Sequence, residues 1–388
     1  MIKKFSPTLF IWVMVLFFGC KGESANNAVR DLIGKLKTSH APDKRVALWE
    51  IKWEDGVLSG ETNLPEAHEE LRKTLTNQKI AFLDSIQLLP AAELAGSTQA
   101  LVTLSVANIR SEPKHSAELA TQALMGTPLN VLKKEGSWYL VQTPEGYISW
   151  VDAAGIALKD ERTMREWTAA EKLVSTEMIG AIYEHPDSIQ IVSDLTAGNI
   201  MVKYKETASH FGVLLPDGRK GYVPKNEVLP FEDWLASREL SDDNLIRTAK
   251  NMMGVPYLWG GTSPKGVDCS GFTKTIYFLN GMIIPRDASQ QVHEGDEVDV
   301  SKNWDNLEVG DLLFFGVPSV DGKPERVVHV GMWIGNNSFI HSRGRVRISS
   351  FDPADENYDA YELDRYLRTK RVRNQQTAHL WSVDRLIQ

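Results

Sequence analysis

The chain has 388 residues, more than one hydrophobic core usually organises, so roughly two to four domains are expected. Hydrophobic residues make up 42% and charged residues 24%, which excludes fibrous and low-complexity proteins. The formal net charge of −8 lacks the basic surface that nucleic-acid binding requires, so no nucleic-acid partner is expected.

The N-terminus has the pattern of an export signal. Lys3 and Lys4 precede the apolar run "LFIWVMVLFFG", which is too short for a stable membrane-spanning helix. "FFGC" then resembles the lipobox of bacterial lipoproteins. The resemblance implies a signal peptide over residues 1–20, lipidation of Cys20, and a lipid-anchored protein on the periplasmic side of the bacterial cell envelope.

Residues 21–95 are interpreted as a polar tether to about residue 40, followed by a small α/β module. The stretch "RVALWEIKWEDGVLSGET" alternates apolar and polar residues around the turn Glu54–Gly56, which predicts a β-hairpin. Asn63 is predicted to cap a helix in which Leu71 and Leu75 share one face. No residue of this module suggests chemistry.

An internal repeat follows at an offset of 72 residues. "SWYLVQTPEGYISWV" (137–151) aligns with "SHFGVLLPDGRKGYV" (209–223), and each copy reads strand, Pro-acid-Gly turn, strand. The pattern predicts two small, strongly bent sheets or barrels. Both resemble the bacterial SH3b domain, over residues 96–160 and 161–234. The segment "KDERTMREWTAAEKLVSTEM" is predicted to be a helical connector between them.

The last unit, residues 235–388, contains Cys269, the only cysteine besides Cys20. Ser241 is predicted to cap a helix that has Leu245, Ile246, Ala249 and Met253 on one side. Asp268 is predicted to cap a second helix, with Cys269 in its first turn. The dipole and free N–H groups of a helix N-terminus favour a thiolate, so a lowered Cys269 pKa is expected. The alternative is a small buried hydrophobic residue.

Two histidines are candidates to act with this thiol. "ERVVHVGMWIGNNSFIHSR" reads as a hairpin, and a turn centred on Gly335 would place His329 directly opposite His341. One imidazole could then act as base and the other as its orienter. The two could also bind a metal, but two histidines without a nearby third acid or cysteine are a weak zinc signature. We therefore predict no metal and no cofactor, and interpret His293 as a surface residue.

Four motifs together are typical of NlpC/P60 cysteine peptidases: "YLWGG", "DCSGF", "HVGMWIGN" and "FIHS", within residues 238–370. The resemblance implies a papain-like α+β domain with Cys269 as nucleophile, His329 as base and His341 as third member. It further implies an oxyanion hole formed by the Tyr257 hydroxyl and the Cys269 backbone N–H, and substrate contacts from Asp268 and Ser270.

The layout of two SH3b domains before the peptidase resembles γ-D-glutamyl-L-diamino acid endopeptidases of the dipeptidyl-peptidase VI type. This implies a monomer that cleaves free peptidoglycan stem peptides with an unblocked N-terminal L-Ala, through a Cys thioester, in murein recycling or turnover. Asp287, Glu118 and Tyr147 would bind near the free amine, and Ala288 stands where a serine is expected. Two alternatives stay open: a general D,L-endopeptidase acting on intact peptidoglycan, and a non-catalytic wall-binding lipoprotein. The diamino acid is either meso-diaminopimelate or lysine.

Overall fold

The computed structural model describes the backbone of residues 19–387 and the side chains of residues 26–387. The predicted signal peptide through residue 18 and the side chain of Cys20 lie outside the described residues. No helix among those described is long and apolar enough to cross a membrane. The chain divides into two compact units, the first ending at Ala91 and the second beginning at Ala92.

The first unit packs two helices with a three-stranded sheet. Its elements are α1 (Gly19–His40), β1 (Trp49–Glu54), β2 (Val57–Thr62), α2 (Pro65–Asn77) and β3 (Leu83–Leu88), and the strand order is β1-β2-β3. The predicted hairpin is confirmed, with Asp55 and Gly56 in its turn at φ 47° and 85°.

Two expectations for this unit are wrong. The segment interpreted as a tether is helix α1, because Val29, Ile33 and Leu36 recur at helical spacing and are buried in the core of the unit. Helix α2 is preceded by Leu64 rather than capped by Asn63, whose Oδ1 instead accepts a hydrogen bond from Leu48 N–H at 2.8 Å. Leu71 and Leu75 are fully buried, as predicted.

The second unit begins with two seven-stranded antiparallel sheets joined by helix α3 (Glu161–Ala169). The first sheet comprises β4 (Gln99–Val102), β5 (Val106–Arg110), β6 (Leu119–Leu124), β7 (Pro128–Glu135), β8 (Trp138–Gln142), β9 (Ile148–Asp152) and β10 (Ile156–Lys159). The second comprises β11 (Lys172–Ser175), β12 (Gly180–Tyr183), β13 (Ile191–Leu195), β14 (Ile200–Glu206), β15 (His210–Leu214), β16 (Lys220–Pro224) and β17 (Val228–Pro230).

The two sheets have the same strand order. The order β10-β4-β7-β8-β9-β5-β6 of the first sheet recurs in the second as β17-β11-β14-β15-β16-β12-β13. Corresponding strands β8 and β15 begin 72 residues apart, as do β9 and β16.

The connector is shorter than expected. Asp160 and Thr163 form a capping box at the start of α3, but the helix ends at Ala169 and the next residues form β11. Leu173 and Val174 explain the change, because both are buried in the second unit and pair with β14 in the sheet. Tertiary packing here overrides the helical preference of the segment.

The remainder of the second unit is a six-stranded antiparallel sheet with helices packed on it, a mixed α+β arrangement as expected. The sheet order is β21-β26-β22-β23-β24-β25. The elements, in chain order, are α4 (Phe231–Ala236), α5 (Asp242–Asn251), β18 (Thr262–Ser263), β19 (Gly266–Val267), α6 (Cys269–Leu279), β20 (Met282–Ile283), α7 (Ala288–Gln291), β21 (Asp296–Asp299), β22 (Leu312–Val317), β23 (Arg326–Gly335), β24 (Ser338–Arg343), β25 (Arg345–Ser350), α8 (Ala360–Asp364), β26 (Tyr366–Arg371) and β27 (Trp381–Ser382).

Helix α6 is the central element of this part. Its Phe272 and Ile276 are fully buried in one core with Phe314, Val330 and other residues of the sheet. The predicted caps are confirmed: Ser241 Oγ accepts from Asn244 N–H, and the Asp268 side chain accepts from Gly271 N–H. Met253 is 46% exposed, so it does not share the buried face of α5 as predicted. The buried side chains of Phe272 and Ile276 and the Asp268 cap hold the N-terminus of α6 against β23.

The loop before α6 lies against strand β6 of the first seven-stranded sheet. Gln122 Oε1 accepts hydrogen bonds from Thr262 N–H at 2.9 Å and Ser263 Oγ at 3.1 Å. Gly260 has φ 80°, and a Cβ there would lie 2.1 Å from the Leu119 carbonyl oxygen. Only glycine allows this approach, so the loop and the sheet are held in direct contact.

Candidate active site

Cys269 is the first residue of α6 and is 8% exposed. Asp268 caps the helix by accepting from Gly271 N–H at 2.7 Å. The backbone N–H groups of Val330 and Ser270 act on the Cys269 sulfur as hydrogen-bond donors. The thiol is therefore placed between the helix start and the residue that follows His329 on β23.

The direction of the Cys269 pKa differs from the expectation. Burial raises the pKa of the thiol to about 12, the Asp268 carboxylate adds to the rise, and the two backbone N–H groups oppose it. Desolvation of a thiolate outweighs the helix terminus here. The expectation of a lowered pKa is wrong, and the resting thiol is neutral.

The hairpin that carries the histidines has a register two residues away from the predicted one. Trp333 pairs with Phe339 and Met332 with Ile340, which aligns His341 with Gly331 rather than with His329. The turn is formed by Asn336 and Asn337, both with positive φ, instead of being centred on Gly335. Because side chains alternate with a period of two, this shift keeps both histidines on one face.

The two imidazoles are hydrogen-bonded. His329 Nε2 lies 2.8 Å from His341 Nδ1, and the ring centroids are 5.0 Å apart. Burial, followed by the charges of Arg365 and Arg343, lowers the pKa of His329 to about 3. Burial and the neighbouring His329 lower the pKa of His341 well below its ordinary value. Both rings are neutral near pH 7, so His329 is an unprotonated base.

Three further residues behind the histidines were missed in the sequence. His341 Nε2 lies 3.1 Å from Ser349 Oγ, and Ser349 Oγ donates to Asp359 Oδ2 at 3.0 Å. Glu362 Oε1 lies 3.9 Å from His329 Nε2. Ser349 lies in β25, within the sequence "RGRVRISS", which contains no recognisable motif. Asp359 caps α8 and Glu362 lies in that helix.

Glu362 also corrects the expectation that no third acid lies near the histidines. One possible ligand atom from each of His329, His341 and Glu362 lies within 4.8 Å of the others. The direct 2.8 Å contact between the two rings nevertheless has the length of a hydrogen bond. Each imidazole therefore has the other ring as a hydrogen-bond partner.

Tyr257 is half-buried beside the thiol. Burial raises the pKa of its phenol, and the nearby Cys269 and the Asp268 carboxylate add to this rise. Its backbone N–H donates to Gly344 O at 3.0 Å, which ties it to the end of β24. A neutral phenol in this position can donate a hydrogen bond to a developing oxyanion.

Arg286 organises the other side of the thiol and was also missed. The fully buried guanidinium donates to Asp268 Oδ2 at 2.6 Å, to Ser270 Oγ at 3.0 Å and to Thr121 Oγ1 of β6 at 3.1 Å. Burial opposes its charge, but the Asp268 carboxylate outweighs burial and raises the pKa of Arg286. Its position directly after the apolar run "MIIP" is the signal that could have identified it.

The remaining predicted substrate residues lie around this arginine and the adjoining loop. Asp287 Oδ1 is 3.7 Å from Arg286 Nη1, and the buried Tyr147 lies within electrostatic range of Arg286. Glu118 is exposed, and its Oε1 accepts from Trp259 Nε1 at 2.5 Å. Asp268 and Ser270 are buried and already bonded to Arg286. His293 is exposed, as predicted.

The arrangement has the parts that acyl transfer needs. Cys269 at the start of α6 accepts from the backbone N–H of Val330, the residue after His329; His329 is hydrogen-bonded to His341, and Tyr257 lies beside the thiol. The polar groups of Glu118 and Tyr147 come from the β5–β6 and β8–β9 loops of the first seven-stranded sheet. The site can therefore combine nucleophilic chemistry with recognition from a second domain.

Comparisons with known proteins agree with this geometry. A family model described as the NlpC/P60 family matches residues 254–368, and one described as a bacterial SH3 domain matches residues 105–157. The chain is 34% identical to gamma-D-glutamyl-L-lysine dipeptidyl-peptidase of Bacillus cereus, over 58% of this chain and 67% of that protein. It is 30% identical to dipeptidyl-peptidase 6 of Lysinibacillus sphaericus, over 68% of this chain and 95% of that protein.

Solved structures give the same result. A crystal structure of an NlpC/P60 family protein from Bacillus cereus matches with 26% identity and a TM-score of 0.61, covering 71% of this chain and 99% of that one. The match to dipeptidyl-peptidase 6 extends over nearly that entire protein, well beyond the peptidase motifs. The chain therefore belongs to the NlpC/P60 family of cysteine peptidases.

Proposed function

We propose that this protein hydrolyses the γ-D-glutamyl–diamino acid bond of free peptidoglycan stem peptides whose N-terminal L-Ala is unblocked. The observation that carries the proposal is the contact between Glu118 and Trp259, which puts an exposed carboxylate of the first seven-stranded sheet beside the loop leading to Cys269. A carboxylate beside the loop that leads to the nucleophile suits a short substrate ending in a free amine. Relatives named gamma-D-glutamyl-L-lysine dipeptidyl-peptidase and dipeptidyl-peptidase 6 support it.

In the proposed reaction Cys269 is the nucleophile and His329 the base. The thiol proton passes to His329 as sulfur bonds to the γ-carbonyl carbon, while Tyr257 O–H and the Cys269 backbone N–H hold the oxyanion. The carbon–nitrogen bond then breaks, and His329 returns the proton to the leaving amine. Water then gives a proton to the same imidazole as its oxygen bonds to the thioester carbon; the carbon–sulfur bond breaks, L-Ala-γ-D-Glu is released, and His329 returns the proton to the Cys269 sulfur. His341 orients His329 throughout.

Recognition of the free amine is assigned to Glu118, Asp287 and Tyr147. Two carboxylates and a phenol can accept hydrogen bonds from an ammonium group, and an acetylated amine would lose the charge they attract. Asp268 and Ser270 would contact the D-Glu part of the substrate. Their existing bonds to Arg286 pre-organise them for that contact.

The proposal extends to the rest of the chain. Residues 96–160 and 161–234 form two SH3b domains, and residues 235–388 form the peptidase domain. Residues 1–20 are a signal peptide, Cys20 carries the lipid, and the protein acts as a monomer in the cell envelope. The apolar run before Cys20 supports the anchor.

Incubation of the purified protein with defined peptides tests the function. The tripeptides L-Ala-γ-D-Glu-L-Lys and L-Ala-γ-D-Glu-meso-diaminopimelate should each be assayed for release of L-Ala-D-Glu, alongside intact sacculi. We expect cleavage of at least one tripeptide, loss of cleavage in Cys269→Ala, and little release from sacculi. Faster action on sacculi would favour a general D,L-endopeptidase, and inactivity on all substrates would favour a wall-binding protein.

A further inference from the structure

We propose that Ser349 and Asp359 are positioning residues that set the tautomers of His341 and His329, so that His329 keeps Nδ1 unprotonated for the thiol of Cys269. The inference rests on the catalytic roles proposed above. It extends the histidine pair into a directed chain of hydrogen bonds that starts at a buried carboxylate and ends at the base.

The chain begins at Asp359, which can only accept. Its carboxylate is buried and lies 3.3 Å from Arg347 Nη2 and 3.5 Å from Arg343 Nη1, and its Oδ1 accepts from Glu362 N–H at 3.2 Å. Both guanidinium groups donate to this carboxylate, whose oxygens therefore act as acceptors. An oxygen 3.0 Å away in Ser349 must therefore direct its hydrogen toward Asp359 Oδ2.

The single hydrogen of Ser349 is thereby used. Its oxygen can then only accept from His341 Nε2, 3.1 Å away, so the proton of neutral His341 is on Nε2. His341 Nδ1 is left with a lone pair and accepts from His329 Nε2–H across 2.8 Å. A neutral imidazole carries one N–H, so Nδ1 of His329 is the free base.

A second pair of tautomers, in which the hydrogen bonds run in the opposite direction, is the alternative to this one. Arg347 Nε lies 3.4 Å from His341 Nε2 and could donate to it. Nδ1–H of His341 would then point to His329 Nε2, and the proton of His329 would move to Nδ1. That tautomer has no lone pair for the thiol proton. Ser349, bound on its other side to Asp359, favours the productive arrangement over this one.

The direct test is nuclear magnetic resonance of the full chain labelled with ¹⁵N-histidine, in which couplings distinguish Nδ1–H from Nε2–H tautomers. His329→Gln and His341→Gln variants assign the signals. We expect both histidines of the wild type as Nε2–H tautomers near pH 7, and a shift toward Nδ1–H in Ser349→Ala. An Nδ1–H tautomer of His329 in the wild type would overturn the proposal, even if the variant fails to fold.

Ser350→Ala is the matched control. Ser350 is the next residue of β25, is equally buried, and donates to Asp355 Oδ2 at 2.6 Å without reaching His341. It should leave both tautomers unchanged. Ser349→Thr keeps the hydroxyl and should restore the wild-type spectrum.

Kinetics give a second readout. Loss of an orienting partner commonly lowers activity by about 10- to 100-fold, so Ser349→Ala should lower kcat by that order with KM within about twofold. Alkylation of Cys269 by iodoacetamide should slow in parallel, and this measurement needs no peptide. Equal alkylation rates and equal tautomers in Ser349→Ala and Ser350→Ala would overturn the proposal. A wrong substrate assignment would change only the peptide assay.

Discussion

At the scale of single residues, the thiol and the imidazole proposed for catalysis are both neutral. Cys269 is a thiol and His329 an unprotonated imidazole, because burial penalises the charged form of each. Nucleophilic attack must therefore be coupled to proton transfer between them, and charge appears only as the reaction proceeds. The negative charge of Asp359 opposes the fall of the His329 pKa and so favours the imidazolium when it forms.

These pKa shifts make the stability of the second unit depend on pH. Folding lowers the His329 pKa from 6.5 to about 3, so the unfolded chain binds more protons between these values and stability is lost as pH falls below 6.5. Folding raises the Cys269 pKa from 9.0 to about 12, so the unfolded chain loses its proton first and stability is lost as pH rises above 9.

Urea unfolding of the wild type, His329→Gln and Cys269→Ala at several pH values measures both effects. Between about pH 7.5 and 4.5 the wild type should lose more unfolding free energy than His329→Gln, since only the wild type has this histidine to protonate. Between about pH 7.5 and 10.5 it should lose more than Cys269→Ala. Parallel pH curves for wild type and variants would refute the neutral pair.

Arg286 connects several groups of the site, although it belongs to none of the four sequence motifs. Its planar guanidinium contacts Asp268, Ser270 and Thr121, and a lysine ammonium cannot reproduce this fork. We expect Arg286→Lys to lower the unfolding free energy by about 1–3 kcal/mol, as for loss of buried charged hydrogen bonds. Arg326→Lys, at an exposed arginine, should change it by less than about 0.5 kcal/mol. Equal urea midpoints for the two variants would contradict this role.

At the scale of elements, the start of α6 and the loop before it determine the site. Gly260→Ala should lower the unfolding free energy by about 2–4 kcal/mol, because its Cβ would lie 2.1 Å from Leu119 O and its φ is 80°. Gly254→Ala is the control, since φ is 82° but no atom lies within 4 Å of the added Cβ. It should cost only about 1 kcal/mol of backbone strain. Urea unfolding that ranks the two variants equally would show that contact with β6 is unimportant.

Sequence patterns predicted the elements of the site better than their exact pairing. Asp268 identified the start of α6 because an acidic N-cap before an apolar helical face is a local signal. The histidine hairpin was predicted, but its register was wrong because two asparagines at positive φ form the turn. Ser349, Asp359 and Glu362 could not be found, since their roles depend on contacts that only the folded chain forms. Helix α1 was missed because its buried residues are widely spaced in a polar stretch.

At the scale of the whole molecule, the second unit combines its sheets into one site. Gln122 and Thr121 of β6 bond to the loop before α6 and to Arg286. Lys265 of this loop pairs with Asp194 of the second seven-stranded sheet. The same lysine donates at 2.7 Å to Ser105 Oγ, which lies between β4 and β5 of the first sheet. In the proposed function the peptidase domain carries the chemistry, and we expect the SH3-like sheets to limit which substrates reach it.

Glu118→Gln tests this division of roles. Loss of the carboxylate should raise KM for the free tripeptide about tenfold, as for loss of a hydrogen bond to a charged group, with kcat changed less. Glu112→Gln is the control, because Glu112 is an exposed glutamate of the same β5–β6 loop that pairs only with Lys114 among the contacts described. A larger effect on kcat than on KM, or equal effects of the two variants, would contradict recognition by the first sheet.

The most direct test of the account is the ratio of kcat/KM for L-Ala-γ-D-Glu-diamino acid tripeptide to kcat/KM for the same peptide acetylated on L-Ala. Acetylation removes the ammonium charge and adds bulk against Glu118 and Tyr147, so we expect the ratio to exceed about 100, corresponding to roughly 2.7 kcal/mol of transition-state discrimination. A ratio near one, with both peptides cleaved, would contradict the proposed recognition of a free N-terminus.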